Sequence, residues 1–261
     1  MGFLETIVAE KRDDVIRKSR AVPLARLEDA AKAVPLRDFR AALLGRAGSV
    51  IAELKLRTPT IPGFANGGDP AALACIYAEA GAAAVSVVTE AARFGTSLET
   101  VTYVRMAVDL PVLAKDFVID PYQIVEARAA GADAVLLIAR LVDGSLLADL
   151  VGRVQGLGME AIVEVHDEKD LDSARAAHAR CVGLNNRNLD TMEVSLDTTR
   201  RLAPLVPADV TVIAESGIRT RADIDDLAAH GAQAFLVGGA LLEAEDPGAL
   251  LRALTTKEVA A

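Results

Sequence analysis

Five ionisable side chains follow short apolar runs of the sequence, where buried strands would end. Glu53 and Lys55 close the first of eight such runs, Lys115 the third, Glu164 the fifth and Glu215 the seventh. Residues two apart on a strand point to the same face, so Glu53 and Lys55 project together. One such pair could be a structural ion pair, but buried ion pairs contribute little net stability. Five charges on one rim therefore favour a catalytic site.

Glycines follow the last two apolar runs and predict an anion site. Ser216-Gly217 comes after the seventh run and Gly238-Gly239 after the eighth, each before a helical segment. Backbone N–H groups at such turns bind phosphate, and barrels often place a phosphate between these two loops. A Gly-Gly pair alone is typical of any tight turn. The two turns together predict a phosphorylated, negatively charged small-molecule substrate.

The eight apolar runs alternate with amphipathic segments, which predicts an α/β fold. Each run is continuous rather than alternating, as expected of parallel strands buried on both faces. The predicted strands are Val50–Leu54, Ala84–Val88, Pro111–Ala114, Ala134–Ile138, Ala161–Val165, Cys181–Leu184, Thr211–Ala214 and Ala234–Val237. Eight such units close a (β/α)8 TIM barrel. An open doubly wound sheet is the alternative, but the first run lacks the glycine-rich turn of a dinucleotide-binding fold.

Helix signals divide the chain in the same way. Gly81, Gly131 and Gly231 each follow a helical segment and precede a strand, in phase with a unit of about 25 residues. Asp-Pro pairs at 69–70, 120–121 and 246–247 predict helix starts. Residues 3–45 have helical periodicity throughout. We therefore expect one domain over 1–261, with an N-terminal helical extension at 1–48 and the barrel at 49–255.

Composition excludes several classes of protein. Apolar residues make up 52% of the chain and aromatic residues only 3%, so the core must be aliphatic. The formal charge of −9 argues against nucleic acid and anionic membranes as partners. The N-terminus resembles neither a signal nor a transit peptide, and no apolar run reaches the roughly 18 residues of a membrane span. A cytoplasmic enzyme is expected.

The strand ends, taken in order, resemble the indole-3-glycerol phosphate synthase family over nearly the whole chain. The phrases that carry the resemblance are Ile-Val-Ala-Glu-Lys-Arg in the extension, Leu-Ala-Lys115-Asp-Phe-Val-Ile-Asp-Pro-Tyr-Gln-Ile, Glu-Ala-Ile-Val-Glu164-Val-His, Gly-Leu-Asn185-Asn-Arg187-Asn-Leu and Ala-Glu215-Ser216-Gly217-Ile. The resemblance implies a carboxy-lyase of tryptophan biosynthesis. Its reaction converts 1-(2-carboxyphenylamino)-1-deoxyribulose 5-phosphate to indole-3-glycerol phosphate, CO₂ and water, with no cofactor and no metal.

The resemblance also implies a role for each catalytic residue. An aromatic carbon attacks a ketone in this reaction, and Lys115 matches the general acid that protonates the developing alkoxide. We expect a dry barrel and neighbouring cations to lower the pKa of Lys115 toward neutrality. Glu164 matches the carboxylate that assists proton removal and dehydration. Asn185, Arg187, Glu215 and Ser216 match the residues that hold the anthranilate carboxylate and the ribulose hydroxyls. The expected catalytic residues are Lys115, Glu164, Lys55, Glu53, Asn185, Glu215 and Ser216.

The remaining implied roles concern substrate binding. Lys55, oriented by Glu53, matches a lysine that holds the substrate carboxylate or phosphate. Phe94 matches an aromatic residue against which the substrate ring packs, although its spacing alone fits a core residue equally well. The expected binding residues are Arg187, Phe94, Gly217, Gly238 and Gly239, the glycines forming a phosphate cradle. A monomer or weak homodimer is expected.

The sequence departs from the family pattern in two places. Thr58-Pro59-Thr60 stands where the family usually has Ser-Pro-Ser, and the loop that follows differs as well. Gly239-Ala240 stands where the family often has Glu-Ser, Ser-Ser or Thr-Ala. A lost side-chain donor would weaken phosphate binding by about 1–2 kcal/mol if the backbone donors remain. His166 follows Glu164 by two residues, and we expect its side chain to point away from Glu164. His178 and His230 are expected to be structural residues at helix C-termini.

Three alternatives stay open at this stage. A sister barrel such as phosphoribosylanthranilate isomerase uses a cysteine and an aspartate at strand ends, and neither occurs at the matching places here. A paralogue acting on a ring-substituted anthranilate is supported only by the altered first loop. A barrel that binds a phosphorylated ligand without turning it over would need neither Lys115 nor Glu164.

Overall fold

The aliphatic runs form the inner wall of a closed barrel. The computed structural model describes residues 3–45, 48–58, 68–189 and 191–256. Its eight described strands pair in sequence order, all parallel, and β8 closes on β1. The strands are β1 (Ser49–Leu54), β2 (Ala84–Val88), β3 (Val112–Lys115), β4 (Ala134–Ile138), β5 (Glu160–Val165), β6 (Cys181–Asn185), β7 (Thr211–Glu215) and β8 (Ala234–Val237). The predicted (β/α)8 barrel is confirmed. Each strand begins and ends within one residue of its predicted limits.

Helices follow the strands and form the outer layer. The described α-helices are α1 (Phe3–Ala21), α2 (Leu24–Ala33), α3 (Phe39–Leu44), α4 (Pro70–Glu79), α5 (Ala91–Phe94), α6 (Leu98–Ala107), α7 (Pro121–Ala130), α8 (Gly144–Gly156), α9 (Glu168–Ala176), α10 (Asp197–Leu202), α11 (Arg221–Ala229), α12 (Gly239–Glu243) and α13 (Pro247–Thr255). The Asp-Pro pairs cap α4, α7 and α13 as predicted. Asp69, Asp120 and Asp246 accept hydrogen bonds from N–H groups of the first turn at 2.8–3.0 Å. Among the described helices, none has the length and apolar composition needed to cross a membrane.

The core has two layers, one between strands and helices and one inside the barrel. The interior is filled by aliphatic side chains such as Ile51, Leu113 and Ile162. Phe39 and Leu43 of α3 belong to this same interior cluster and are at most 2% exposed. The helix α3 therefore closes the amino-terminal end of the barrel, and the carboxyl ends of the strands stay open for a site.

The extension also reaches that open end. In α1, Lys11 Nζ lies 2.5 Å from Asp116 Oδ1, directly beside Lys115. Thr89 Oγ1 donates to the other oxygen of Asp116 at 2.8 Å. Glu10 pairs with Arg93 at 2.7 Å, in the helix that carries Phe94. The extension thus contacts two segments that line the open end.

Candidate active site

Lys115 lies at the centre of a charged cluster on the open rim. Its Nζ is 2.8 Å from Glu215 Oε2 and 3.4 Å from Glu164 Oε2. The two carboxylate side chains are only 2% and 3% exposed, whereas Lys115 is 19% exposed. The strands β3, β5 and β7 therefore deliver one ammonium and two carboxylates to a single point with access to solvent on the lysine side.

Glu53 and Lys55 form a second pair on the same rim. Lys55 Nζ lies 2.6 Å from Glu53 Oε1, in keeping with two residues that share one face of β1 and its extension. Burial alone would raise the pKa of Glu53, but Lys55, Lys115 and Arg187 together lower it. Glu53 is therefore a buried anion that holds Lys55 in place.

The expectation that the pKa of Lys115 is lowered is wrong. Burial does lower the pKa of this ammonium, but the charges of Glu215, Glu164 and Glu53 outweigh burial and raise it above its ordinary value. The prediction assumed cations beside Lys115, whereas carboxylates contact it in the structure. Burial raises the pKa of Glu215 to about 7, and Glu164 adds to the rise while Lys115 opposes it.

Asn185 connects this cluster to the loop after β6. Its Nδ2 donates to Glu164 Oε1 at 3.0 Å, and its Oδ1 accepts from the backbone N–H of Arg187 at 2.9 Å. Arg187 in turn donates to the carbonyl of Met192 at 3.1 Å. Asn185 and Arg187 thus belong to one hydrogen-bonded unit that orients Glu164 and holds the loop after β6 at the rim.

Two cavities open on the rim and meet at the lysines. The first, of about 300 Å³, is lined by Ser216, the predicted glycines and Arg219. The second, of about 170 Å³, is lined by Glu164, Asn185 and Arg187 together with apolar side chains. Four residues line both cavities, namely Glu53, Lys55, Lys115 and Ser216. Each of the twelve residues singled out from the sequence lines at least one of the two.

Glycines make the charged rim possible. A Cβ on Gly238 would overlap Glu53 Oε1, and a Cβ on Gly183 would overlap Glu215 Oε1. Gly217 has φ +83° and follows Ser216, a non-glycine residue that also has a positive φ of 65°. A Cβ on Gly239 would meet no heavy atom within 4 Å, so this residue faces open space in the first cavity.

The second cavity is mostly apolar, and sequence reasoning identified only Phe94 of its apolar side chains. Its apolar lining comprises Val88, Phe94, Phe117, Leu136, Ile138, Leu189 and Met192. Phe117 could have been found from its place in the Lys-Asp-Phe phrase, whereas Leu136 and Ile138 have no sequence signal beyond strand β4. A flat aromatic ring fits such a wall.

The expectation that His166 points away from Glu164 is also wrong. Its Nε2 lies 3.3 Å from Glu164 Oε1, and its side chain is 6% exposed. Residues two apart along an extended backbone share a face. The spacing of Glu164 and His166 was the signal that should have placed them together.

The altered first loop lies partly outside the described residues. Thr58 lines the second cavity, whereas Pro59, Thr60 and the segment up to 67 are not described. His178 and His230 lie at the ends of α9 and α11 respectively, as expected.

Comparisons with known proteins agree with this geometry. A family model described as indole-3-glycerol phosphate synthase matches residues 4–254. A protein named indole-3-glycerol phosphate synthase from Parafrankia sp. (strain EAN1pec) is 50% identical over 257 residues, which cover 98% of this chain and 96% of that protein. A protein of the same name from Nocardioides sp. (strain ATCC BAA-499 / JS614) is 47% identical, with coverage of 99% and 100%.

Solved structures share the fold at lower identity. A crystal structure of 3-hexulose-6-phosphate synthase has a TM-score of 0.60 and 21% identity, covering 79% of this chain and 97% of that one. N-acetylmannosamine-6-phosphate 2-epimerase from Clostridium perfringens has a TM-score of 0.57 and 16% identity, covering 74% and 87%. These likenesses concern the barrel alone. The family model and the curated relatives span nearly the entire sequence, and the chain belongs to the indole-3-glycerol phosphate synthase family.

Proposed function

We propose that this chain closes the indole ring of indole-3-glycerol phosphate, and that the rim cluster around Lys115 carries out the proton transfers. The substrate 1-(2-carboxyphenylamino)-1-deoxyribulose 5-phosphate has an anionic phosphate at one end and an aromatic ring at the other. The observation that carries the proposal is the meeting of a glycine-lined cavity and an apolar cavity at Lys115.

The phosphate end belongs in the first cavity. Gly217, Gly238 and Gly239 offer backbone there without side chains in the way, and Arg219 and Lys55 add positive charge. Backbone N–H groups at the start of a helix bind phosphate well. The substrate ring then lies in the second cavity against Phe94, with Arg187 available for the ring carboxylate.

This orientation places the ketone of the sugar chain beside Lys115. The ring carbon that bears the carboxylate attacks the ketone carbon, and the ketone oxygen takes a proton from the Lys115 ammonium. The raised pKa keeps Lys115 protonated at neutral pH. It is therefore a ready donor to a strongly basic alkoxide, although a weaker acid than a lysine with a lowered pKa would be.

The later steps need a base. Cleavage of the bond to the carboxyl group releases CO₂ and restores the electron pair to the ring system. Loss of the new hydroxyl as water then requires one proton to be added to it and one to be removed from the five-membered ring. Lys115, whose side chain is 19% exposed, recovers from solvent the proton that it gave to the ketone oxygen and then supplies the proton for the leaving hydroxyl. Glu164 contacts Lys115 at 3.4 Å and is held by Asn185, so it can take up the proton removed from the ring.

The proposal is tested with an indole-fluorescence assay on the unsubstituted substrate and on ring-substituted analogues. We expect turnover of the unsubstituted substrate, with analogues turned over less efficiently. Absence of turnover would contradict the proposal. A preference of more than about tenfold in kcat/KM for a substituted analogue would instead assign a specialised substrate.

Glu164→Gln separates catalysis from binding in the same assay. Glutamine keeps an acceptor for Asn185 but cannot take up a proton at neutral pH. We expect kcat to fall by about 100-fold or more with KM changed less than threefold. A rise in KM with unchanged kcat would make Glu164 a binding residue only.

The same proposal includes the setting in which the enzyme works. We propose that it works in the cytoplasm as a monomer or weak homodimer. The twelve residues assigned to the site all line the two cavities of one barrel, so the proposed reaction does not require a second chain. Size-exclusion chromatography with light scattering over a concentration series checks the oligomeric state, and a tight dimer or larger assembly would contradict it.

A further inference from the structure

A histidine with a buried side chain lies behind the base of the proposed reaction. His166 follows β5 directly, its side chain is 6% exposed, and it lines neither of the two cavities. Its ring lies between two carboxylates, with Nε2 at 3.3 Å from Glu164 Oε1 and Nδ1 at 3.5 Å from Asp170 Oδ2. Neither nitrogen meets hydrogen-bond geometry with any described residue. Buried polar groups nearly always form hydrogen bonds, so we expect one of these ring nitrogens to form a hydrogen bond with an adjacent carboxylate.

The two carboxylates beside the ring differ in how well they are already satisfied. Asp170 accepts from Arg140 Nε and Nη2 at 3.0 and 2.7 Å and from the backbone N–H of His166 at 3.0 Å. Glu164 Oε1 accepts only from Asn185 among the described residues, at 3.0 Å, and Oε2 faces Lys115. Glu164 is therefore the carboxylate with room for a further donor.

Asp170 lies on the Nδ1 side of the His166 ring, away from Glu164. The pKa of Asp170 is lowered, because Arg140 and the neighbouring His166 outweigh the effect of burial. Asp170 is thus an anion whose carboxylate is anchored by Arg140, and its own backbone N–H donates to Asp167 Oδ1 at 2.9 Å at the start of α9. Because the backbone N–H of His166 is bound to this anchor, the turn after β5 does not depend on the imidazole.

We propose that His166 is a positioning residue for the ring closure. Its Nε2–H donates to Glu164 Oε1 and, with Asn185, fixes the carboxylate so that Oε2 faces Lys115 and the sugar chain. The imidazole does not contact substrate. It acts by limiting the rotation of Glu164 when substrate draws Lys115 away from that carboxylate. This inference rests on the proposed role of Glu164.

The test compares His166→Phe, which keeps a planar ring without a donor, with His166→Gln, which keeps a side-chain N–H at similar reach. We expect kcat of the Phe variant to fall about 10- to 100-fold, the usual effect of losing a hydrogen bond to a charged group, with KM within twofold. We expect the Gln variant to stay within about threefold of wild type. His230→Phe is the matched control, since His230 is 39% exposed at the end of α11 and should leave both constants unchanged.

Two outcomes would overturn the proposal while leaving the ring-closing activity intact. A Phe variant with kcat within twofold of wild type would exclude a contribution of His166. A Gln variant as impaired as the Phe variant would assign the effect to packing. If neither variant folds, the ¹⁵N–¹H spectrum of the wild-type side chain decides, because a His166 Nε2 without a proton cannot donate. Failure of the wild-type enzyme to turn over any substrate would instead contradict the proposed function itself.

Discussion

The ammonium group of Lys115 is balanced by three carboxylates, and this balance decides what a substitution would do. Glu215 and Glu164 contact Lys115 directly, and Glu53 contributes at longer range. Each carboxylate is buried, so an uncompensated charge there is costly. Lys115 therefore serves both as the proposed acid and as the counter-ion of the rim.

Lys115→Met removes the acid while keeping most of the length of the unbranched side chain. We expect kcat to fall by about 100- to 10,000-fold, because no other described ammonium lies within contact of both Glu164 and Glu215. The measurement is the steady-state rate of indole formation. Lys32→Met is the control, since Lys32 is 76% exposed on α2 and its ammonium pairs with no described residue other than Asp29. More than a tenth of the wild-type kcat in Lys115→Met would exclude Lys115 as the principal acid.

Gly239 offers a second test at the residue scale. A Cβ there would meet no heavy atom within 4 Å. Gly239→Ser adds a donor toward the phosphate, and we expect KM to fall by up to about tenfold, the effect of one added hydrogen bond. Gly239→Ala adds the carbon without the donor and should not lower KM. Equal KM values in the two variants would place the phosphate elsewhere.

At the scale of elements, the barrel follows from the sequence because its strands are continuous apolar runs. Even β3 departs by only one residue, since Pro111 has no N–H to donate and pairing starts at Val112. The rim residues follow in turn, because the carboxyl ends of parallel strands meet at one edge. The pairing of charges across strands does not follow. The local sequence does not show that Lys115 contacts Glu215, which lies a hundred residues away. The predicted direction of the pKa shift of Lys115 was therefore wrong.

The helix α3 shows how the extension contributes to the barrel. Leu43 is fully buried inside the barrel, whereas its neighbour Leu44 is 47% exposed. We expect Leu43→Ala to lower the free energy of unfolding by about 2–5 kcal/mol, the usual cost of a cavity in a core. Leu44→Ala should cost less than about 1 kcal/mol. Urea denaturation measures both, and equal losses would mean that α3 does not close the barrel.

At the scale of the whole molecule, the charge distribution separates the site from the surface. The chain carries a formal charge of −9, whereas the cavities hold four cations, Lys55, Lys115, Arg187 and Arg219, beside four carboxylates, Glu53, Asp116, Glu164 and Glu215. The formal charges of the lining cancel, so an anion meets less repulsion in the site than the net charge of the chain would suggest. The acidic surface is therefore compatible with an anionic substrate. The same separation leaves buried carboxylates whose protonation is linked to folding.

Glu215 should make the stability of the whole chain depend on pH. Its pKa is about 7 in the folded protein against an ordinary value of 4.5, so the folded state holds a proton that the unfolded state releases between these values. Stability therefore falls as pH rises through this window. Lys115 adds no slope there, because it is protonated in both states below its ordinary pKa of 10.5.

Thermal unfolding at pH 5 and pH 8 measures this linkage. We expect the Tm of the wild-type protein to be lower at pH 8 by about 5 °C, and Glu215→Gln to lose much of that difference because glutamine does not titrate. Part of the pH dependence of Tm remains in the variant, because burial also raises the pKa values of Glu160 and Glu126. Glu28→Gln is the control, since Glu28 is 38% exposed and pairs with Arg153 on the surface. Glu215→Gln and Glu28→Gln could both show the same Tm difference between pH 5 and pH 8 as wild type. Glu215 would then be ionised in the folded protein at both pH values, and the raised pKa of Glu215 would be wrong.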